Sequence, residues 1–270
     1  MRKQLLLLIR ISTPAYNKTL YDEYKIYMNH QMAFINEKLT SGQHDGYEGA
    51  ILTVPFKLRY SIDDKVTWKD LSSEVKMMRK DNKAYIYCMY GVTFAEEQYD
   101  KENNKFYHLI PWEYIEPLWQ GDSNTEMMVI KNTSVFKNKF HEAAERYGLS
   151  HAYGQIHYDL EEKLTNIEYM NIAMSDSFEA VYHKPKMGYE MQNEVRMSVL
   201  CSNKPDKYEL QLTNDGALQF TLIPLVYGKP VLIELQGLEF ENDMPVRFSN
   251  DIKYYEPTDG SITPDLILRQ

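Results

Sequence analysis

Residues 182–200 of the chain read YHKPKMGYEMQNEVRMSVL. From residue 191 onward apolar and polar side chains alternate, and this period of two predicts a β-strand with one buried face. The apolar set is Met191, Val195, Met197 and Val199, and the polar set is Gln192, Glu194, Arg196 and Ser198. Pro185 and Gly188 predict a turn just before the strand. Gln192 and Glu194 are therefore expected to point the same way from a strand that follows a loop.

The composition argues against binding of nucleic acid through an extended basic surface, because the formal net charge of the 270 residues is −9. The chain contains 22 tyrosines, a residue type that suits interfaces and stacking pockets. Its two cysteines, Cys88 and Cys201, lie far apart, which is typical of a protein from a reducing cytoplasm. The sequence has neither a Cys-x-x-Cys motif nor histidines at metal-ligand spacing, so it predicts no metal site.

The apolar run at residues 5–9 predicts a buried first strand. It stops at Arg10 after five residues, which is too short for a secretory signal or a membrane span. A cytoplasmic protein without a membrane segment is expected. One face of this strand carries Leu6, Leu8, Arg10 and Ser12. An arginine in that position must reach solvent, pair with a carboxylate such as Glu194, or bind an anion.

The strongest predicted strand covers residues 84–94, whose aromatic and apolar side chains are typical of a central strand covered on both sides. The pattern after Asn132 predicts a helix that this residue caps and that Gly148 ends. Short strands joined by turns are predicted after residue 207. These patterns together predict one α+β domain over residues 1–270.

Three segments in this order resemble the ADP-ribosyltransferase superfamily. They are a first strand ending in arginine (residues 8–12), a middle strand with tyrosines (residues 87–90) and a late strand with Gln-x-Glu (residues 191–196). The pattern is most similar to that of DarT-type toxins, which modify nucleic-acid bases. An Asp-x-x-Glu-Gly segment at residues 45–49 is also similar to a bacterial family often found near phage-defence genes. The Ser-Thr-Ser element of the arginine-type branch is absent from the sequence, and Cys88 and Tyr90 stand in its place.

The resemblance implies an ADP-ribosyltransferase-like core of mainly antiparallel strands that binds NAD. Glu194 would stabilise the positive charge that develops on the ribose, and Gln192 would orient the incoming nucleophile. Arg10 would hold the pyrophosphate with its planar fork. The remaining residues implied at the site are Ser12, Tyr87, Cys88 and Tyr90 for NAD, with Tyr87 or Tyr90 stacking on the nicotinamide, and Tyr189 and Arg196 for the acceptor.

We therefore expect a mono-ADP-ribosyltransferase that acts as a toxin or phage-defence effector. NAD is its expected substrate, and no metal is expected in the reaction. By the resemblance, the acceptor is a base of RNA or DNA ahead of a protein side chain. Such a toxin also implies an antitoxin partner that neutralises it, with a chaperone as a further partner.

Other functions fit the same residues. A non-catalytic binding or inhibitor protein, acting through a tyrosine-rich interface, is favoured by the missing Ser-Thr-Ser element. A nuclease using Asp159, Glu194 and Arg196 is ranked last, because a metal-dependent nuclease needs two or three carboxylates that converge with a lysine. Glu194 and Arg196 also have a purely structural interpretation as a pair on a solvated face.

Overall fold

The computed structural model describes residues 4–35, 50–61, 68–78, 83–119, 125–158, 178–182, 193–202, 207–249 and 252–255. Within these residues the helices are α1 (Pro14–Glu23), α2 (Trp112–Ile115) and α3 (Thr133–Arg146). Short 3-10 turns cover Gln31–Ile35, Glu96–Gln98, Glu116–Leu118 and Glu179–Tyr182. The strands are β1 (Leu5–Ser12), β2 (Lys25–His30), β3 (Ala50–Ser61), β4 (Trp68–Met78), β5 (Ala84–Thr93), β6 (Tyr99–Asp100), β7 (Lys105–Ile110), β8 (Glu126–Ile130), β9 (Ser150–Gln155), β10 (Glu194–Leu200), β11 (Lys207–Gln211), β12 (Phe220–Pro224), β13 (Val231–Gln236), β14 (Glu239–Glu241), β15 (Met244–Arg247) and β16 (Ile252–Tyr255).

Eight strands form an antiparallel sheet, here called the main sheet. Its order is β11-β2-β5-β1-β8-β12, and β10 and β9 extend it from the other edge of β5. The C-terminal half of β5 pairs with β1, where Tyr90 lies opposite Ile9, and its N-terminal half pairs with β2, where Ile86 lies opposite Asn29. Strand β5 thus contacts three strands, which confirms the prediction of a central strand at this position.

One face of the main sheet, here called the sandwich face, packs against a second sheet of order β16-β13-β7-β6. The main sheet contributes Leu7, Ile9, Tyr90, Met127 and Val129, and the second sheet contributes Phe106, Ile110, Val231, Ile233 and Leu235. The remaining strands form two hairpins, β3 with β4 and β14 with β15. Burial of these apolar side chains is the main force that holds the two sheets together.

The opposite face of the main sheet, here called the helical face, packs against α1 and α3. The helices contribute Leu20, Phe136, Phe140, Ala143 and Ala144, and the sheet contributes Leu8, Tyr85, Tyr87, Met89, Met128, Val195, Met197 and Val199. Because successive strand residues point to opposite sides, each strand supplies one set of residues to the helices and the other set to the second sheet.

The ends of the helices follow local sequence signals, with one exception. Pro14 begins α1, where its missing N–H costs no hydrogen bond. Gly148, at φ +64°, follows α3 and confirms the predicted stop. Asn132 stands at the N-cap position of α3, but its side chain makes no capping hydrogen bond and donates instead to the carbonyl of Ala217 at 3.1 Å. A helix start can be read from the chain, whereas the partner of its capping side chain depends on the packing.

The observed class is α+β, with mainly antiparallel strands and few helices, as the sequence predicts. None of the helices in the described ranges is both long and apolar enough to cross a membrane. The predicted acidic loop at residues 45–49, together with Asp159, Tyr189 and Gln192, lies outside the described residues.

Candidate functional site

Strand β10 carries the residues that the sequence singles out, and its alternation is as predicted. Glu194 and Arg196 point to the sandwich face, while Val195 and Met197 point to the helical face. The interpretation of Glu194 and Arg196 as a solvated pair is wrong, because their residues are only 7% and 0% exposed. Strand β10 lies between β5 and β9, and the segment around Val181 covers Arg196 from above the sheet.

Glu194 and Arg196 form a buried ion pair within one strand. The Nε of Arg196 donates to Oε1 of Glu194 at 2.6 Å, and its Nη1 donates to the carbonyl of Val181 at 2.7 Å. The neighbouring Tyr182 hydroxyl lies 2.7 Å from Oγ of Ser198. A carboxylate removed from water needs such a partner, because an unpaired buried charge is costly. The carboxylate of Glu194 is therefore held in a defined orientation.

Aromatic and imidazole side chains surround the start of β10. Tyr90 lies opposite Glu194 in the register of β5 and β10, and its ring centre is 4.7 Å from that of Tyr114 on α2. The Tyr90 hydroxyl lies 2.9 Å from Nε2 of His108 on β7. Glu194, Arg196, Tyr90, His108 and Tyr114 are here called the Glu194 cluster. The cluster joins the main sheet to the second sheet through polar contacts.

A chain of hydrogen bonds sets the proton positions in this cluster. The Nδ1 of His108 lies 3.3 Å from Oε1 of Gln98, an acceptor, so Nδ1 donates and Nε2 accepts from Tyr90. The amide of Asn193 in turn donates to the Tyr90 hydroxyl at 3.4 Å. Burial lowers the pKa of His108 to about 4, so the imidazole is neutral at pH 7.

Burial also shifts the two tyrosines of the cluster. It raises the pKa of Tyr90, which the hydrogen bond from Asn193 lowers by a smaller amount. The pKa of Tyr114 is raised well above its usual value, chiefly by burial and further by the charges of neighbouring groups that include Glu194. Both phenols are therefore protonated at neutral pH, and the Tyr90 hydroxyl donates to His108.

Arg10 lies apart from this cluster, on the helical face near the point where β1 leaves β5. Its guanidinium carbon is 4.2 Å from the centre of the Tyr87 ring, a cation–π contact. Ser12 is buried two residues further along β1. Within the described part of the chain, the buried Nε of Arg10, the Tyr87 hydroxyl and Oδ1 of Asn17 have no hydrogen-bond partner.

The predicted site residues divide between the two faces of the main sheet. Ile9 pairs with Tyr90, and Tyr90 pairs with Glu194, so these three side chains share the sandwich face. Arg10 follows Ile9 and pairs with Met128, so it points to the helical face. Cys88, Tyr90, Glu194 and Arg196 thus lie on one face, and Arg10, Ser12 and Tyr87 on the other. The expected ion pair of Arg10 with Glu194 is absent from the described residues, where Arg196 takes its place.

The sequence patterns do not single out His108 and Tyr114 as site residues. The signal for His108 is the alternation in β7, where it stands between Phe106 and Ile110 on the buried side of the strand. No local pattern indicates Tyr114, since its ring meets Tyr90 only through packing. In the described ranges no three His, Cys, Asp or Glu side chains are arranged to hold a metal ion.

Comparison with known proteins identifies no relative of this chain. No protein-family model matches it, and neither a curated protein nor a solved structure matches it. What the protein does is therefore inferred from the Glu194 cluster and from the resemblance carried by β1, β5 and β10.

Proposed function

We propose that the protein transfers ADP-ribose from NAD to a macromolecule, with Glu194 as the catalytic carboxylate. The observation that supports this most is the fixed position of Glu194. It is the first residue of β10, and it is buried and oriented by the 2.6 Å hydrogen bond from Arg196. A carboxylate that is already oriented needs little reorganisation when a positive charge develops beside it.

The reaction breaks the bond between nicotinamide and C1′ of the ribose, and the bonding electrons leave with the nicotinamide nitrogen. The ribose then resembles an oxocarbenium ion, which a nearby carboxylate stabilises while it accepts a hydrogen bond from a ribose hydroxyl. The nucleophile of the acceptor forms the new bond to C1′ and loses a proton. Glu194 has the chemistry for the first step, and Gln192 is the proposed residue that positions the nucleophile.

The geometry favours Tyr90 over Tyr87 as the ring that contacts nicotinamide. Tyr90 shares the sandwich face with Glu194, and Tyr114 lies beside it, whereas Tyr87 points to the helical face. Cys88 pairs with Arg196 and lies on the same face as Glu194. Arg196 is fully buried, so in this proposal it orients Glu194 and does not contact the acceptor.

Arg10 is left out of this site, because it points away from Glu194. The role of Arg10 in holding the pyrophosphate is therefore tested by its own variant. If Arg10 binds NAD, Arg10→Lys will raise KM for NAD. If NAD binds on the sandwich face, away from Arg10, that variant will have the same KM for NAD as the wild type.

The proposed acceptor is a base of RNA or DNA, with a protein side chain as the second choice. The net charge of −9 is compatible with an enzyme that binds a nucleic acid transiently through a small local surface and not along an extended one. In this proposal the protein acts as a toxin or phage-defence effector, so an antitoxin and a chaperone are its proposed partners.

The test is the transfer of label from adenylate-labelled NAD to cell extract containing RNA, DNA and protein. We expect label on nucleic acid with the wild type, and a loss of about 10²- to 10³-fold in rate with Glu194→Gln, which keeps the size of the side chain. The matched control is Glu96→Gln, an exposed glutamate whose pair with Lys101 has the same 2.6 Å distance. No transfer by folded wild-type protein, or equal transfer by Glu194→Gln, would refute the proposal.

A second candidate function is a non-catalytic binding protein. An aromatic surface patch favours it: the Tyr227 ring lies 5.1 Å from that of Trp112 and 5.7 Å from that of Trp119, and Tyr227 is 68% exposed. Exposed aromatic side chains that pack against other rings are frequent at protein interfaces. In that case the wild type transfers no label, and Tyr227→Ser weakens partner binding while Tyr147→Ser, at another exposed tyrosine, does not.

A further inference from the structure

Three hydrogen bonds connect the second sheet to the residue that precedes Glu194. The Nδ1 of His108 on β7 donates to Oε1 of Gln98 at 3.3 Å, and its Nε2 accepts from the Tyr90 hydroxyl at 2.9 Å. The side-chain amide of Asn193 donates to the same hydroxyl oxygen at 3.4 Å. These four side chains are here called the cross-sheet network. The network runs from the start of β10, past β5, to β7 on the second sheet.

All bonds of the cross-sheet network point the same way, from β10 toward the second sheet. A phenol has one proton, and Nε2 of His108 accepts it, so the lone pairs of the Tyr90 oxygen are left for the amide of Asn193. Bonds in such a series polarise and strengthen one another. Tyr90 and His108 are only 6% and 8% exposed, so water does not readily replace a lost partner.

Asn193 is the residue through which the chain enters β10, and its backbone lies in the left-handed region at φ +38°. Asparagine and glycine adopt this conformation more readily than other residues. The carbonyl of Asn193 accepts from the Gly91 N–H on β5 at 2.8 Å. Strand β5 therefore holds Asn193 at two points, its carbonyl through Gly91 and its side chain through Tyr90. The next residue in the chain is Glu194.

We propose that His108 is a positioning residue for Glu194, which lies on the other sheet. His108 acts through the Tyr90 hydroxyl, which in turn holds Asn193 at the start of β10. This role rests on the proposed function, because the place of Glu194 matters for transfer only if Glu194 is the catalytic carboxylate. A displacement of about 1 Å in a catalytic group can cost about 10²-fold in rate. The packing of the two sheets thereby contributes to the geometry of the site.

Hydrogen exchange of single backbone amides tests the positioning without any activity. His108→Leu removes the acceptor of the Tyr90 proton, so the hydroxyl turns freely and one of the two restraints on the start of β10 is lost. We expect the Gly91 N–H to exchange about tenfold faster or more in this variant. The control is the amide of Cys201, which closes the other end of the β5–β10 pair with a 3.0 Å bond and should keep its rate. A loss of global stability alone would speed exchange at both amides.

The kinetics of label transfer test the consequence for catalysis. His108→Leu should lower kcat about tenfold to hundredfold with little change in KM for NAD, because a displaced Glu194 weakens an interaction made in the transition state. His108→Gln, whose side-chain oxygen can also accept from Tyr90, should recover most of that loss. Asn193→Gly keeps the backbone conformation but removes the amide, so it should also lower kcat. Its matched control is Asn242→Gly, at an exposed asparagine with φ +50° between β14 and β15.

Equal exchange of the Gly91 amide in the wild type and in His108→Leu would overturn the proposal, and so would an unchanged kcat in that variant. A loss in His108→Gln as large as that in His108→Leu would also overturn it, because the accepting atom would then not matter. A wild type that transfers no label would refute the proposed function and the catalytic meaning of the position. The Gly91 amide would still show whether His108 holds the start of β10, so the two failures are distinguishable.

Discussion

Arg196 and Glu194 are two residues apart on β10, and the Nε of the arginine donates a 2.6 Å hydrogen bond to Oε1 of the glutamate. Both side chains are buried, and the arginine also donates to the carbonyl of Val181. The pair therefore compensates two charges that are largely removed from water, with a small part of Glu194 still exposed. Removal of one partner leaves the other charged and buried, which costs more than the pair itself contributes.

The first prediction concerns that asymmetry. Arg196→Met should lower the free energy of unfolding by about 3–5 kcal/mol, because Glu194 then loses the charge-assisted hydrogen bond that Arg196 donates to it. Adding Glu194→Leu to this variant should restore part of the loss, since no buried charge remains. Urea unfolding followed by circular dichroism measures both effects. A double variant that is less stable than Arg196→Met would contradict the explanation.

An exposed ion pair supplies the control for this prediction. Lys101 and Glu96 are also separated by 2.6 Å, but their side chains are 68% and 72% exposed. Lys101→Met should leave the urea midpoint unchanged, because water solvates both charges whether or not they pair. Because the two ion pairs have the same 2.6 Å distance, a difference in stability loss between Arg196→Met and Lys101→Met is caused by burial.

The second prediction follows from the pKa of His108, which burial lowers from 6.5 to about 4. Above pH 6.5 the imidazole is neutral in both folded and unfolded chains, so its contribution to stability does not change with pH. As the pH falls from 6.5 to 4 the unfolded chain binds a proton that the folded chain does not, and stability is lost. The gap between the two pKa values corresponds to about 3 kcal/mol.

His108→Gln should remove that dependence while its side-chain oxygen still accepts from Tyr90. The measurement is the free energy of unfolding in urea between pH 7.5 and 4.5, where the variant should show a smaller slope than the wild type. His157→Gln, at an exposed position, should keep the wild-type slope. Parallel curves for wild type and His108→Gln would refute the assignment.

The third prediction concerns Tyr87, whose buried hydroxyl has no hydrogen-bond partner among the described residues. Tyr87→Phe should change the free energy of unfolding by no more than about 1 kcal/mol, because the hydroxyl makes no well-formed hydrogen bond and interacts only electrostatically with the neighbouring Arg10 guanidinium. Tyr87→Leu should cost about 1–3 kcal/mol, since it removes the ring that faces Arg10.

Tyr182→Phe is the matched comparison for Tyr87→Phe, because the Tyr182 hydroxyl lies 2.7 Å from Oγ of Ser198. That variant should cost about 1–2 kcal/mol. Thermal unfolding of the two phenylalanine variants side by side distinguishes a partnered from an unpartnered hydroxyl. Equal losses in both would mean that the Tyr87 hydroxyl is bonded.

The fourth prediction concerns Gly91, where β5 lies between β1 and β10. A Cβ at this position would lie 2.7 Å from Cγ2 of Val195 and 2.8 Å from Cδ1 of Leu5. Gly91→Ala should therefore destabilise the fold by about 1–3 kcal/mol through overpacking. Val195→Ala should cost less in that background than in the wild type, because it makes room for the new methyl group.

Gly154→Ala is the control for Gly91→Ala, since among the described residues its Cβ would meet only the Tyr182 ring, at 3.4 Å. This variant should lie within about 0.5 kcal/mol of the wild type. A loss at Gly154 as large as that at Gly91 would show that the effect is general to glycines in the main sheet and is not caused by the close contacts.

Many elements could be predicted from local sequence. The alternation in residues 191–200 predicts β10, the apolar runs predict β1 and β5, and Gly148 marks the end of α3. These signals are local because a strand repeats every two residues and a helix every 3.6. The prediction of an α+β fold follows from them without knowledge of any long-range contact.

The partners of the predicted site residues could not be predicted in the same way. His108 and Tyr114 join Tyr90 because a second sheet packs on the main sheet, and His151 meets His141 because α3 folds back over β9. Spacing along the chain gives no sign that the two histidines are neighbours. Their proximity is a product of packing alone.

By itself, the sequence determined which residues alternate, where α3 ends, and that Glu194 and Arg196 share one face of a strand. Only the tertiary structure decided that this face is buried and that Arg10 points to the opposite one. The reason is the register of paired strands: Tyr90 lies opposite both Ile9 and Glu194. A shift of one residue in β1 would have placed Arg10 opposite Tyr90, on the same face as Glu194 and two strands away from it, and no local pattern in either strand specifies that alignment.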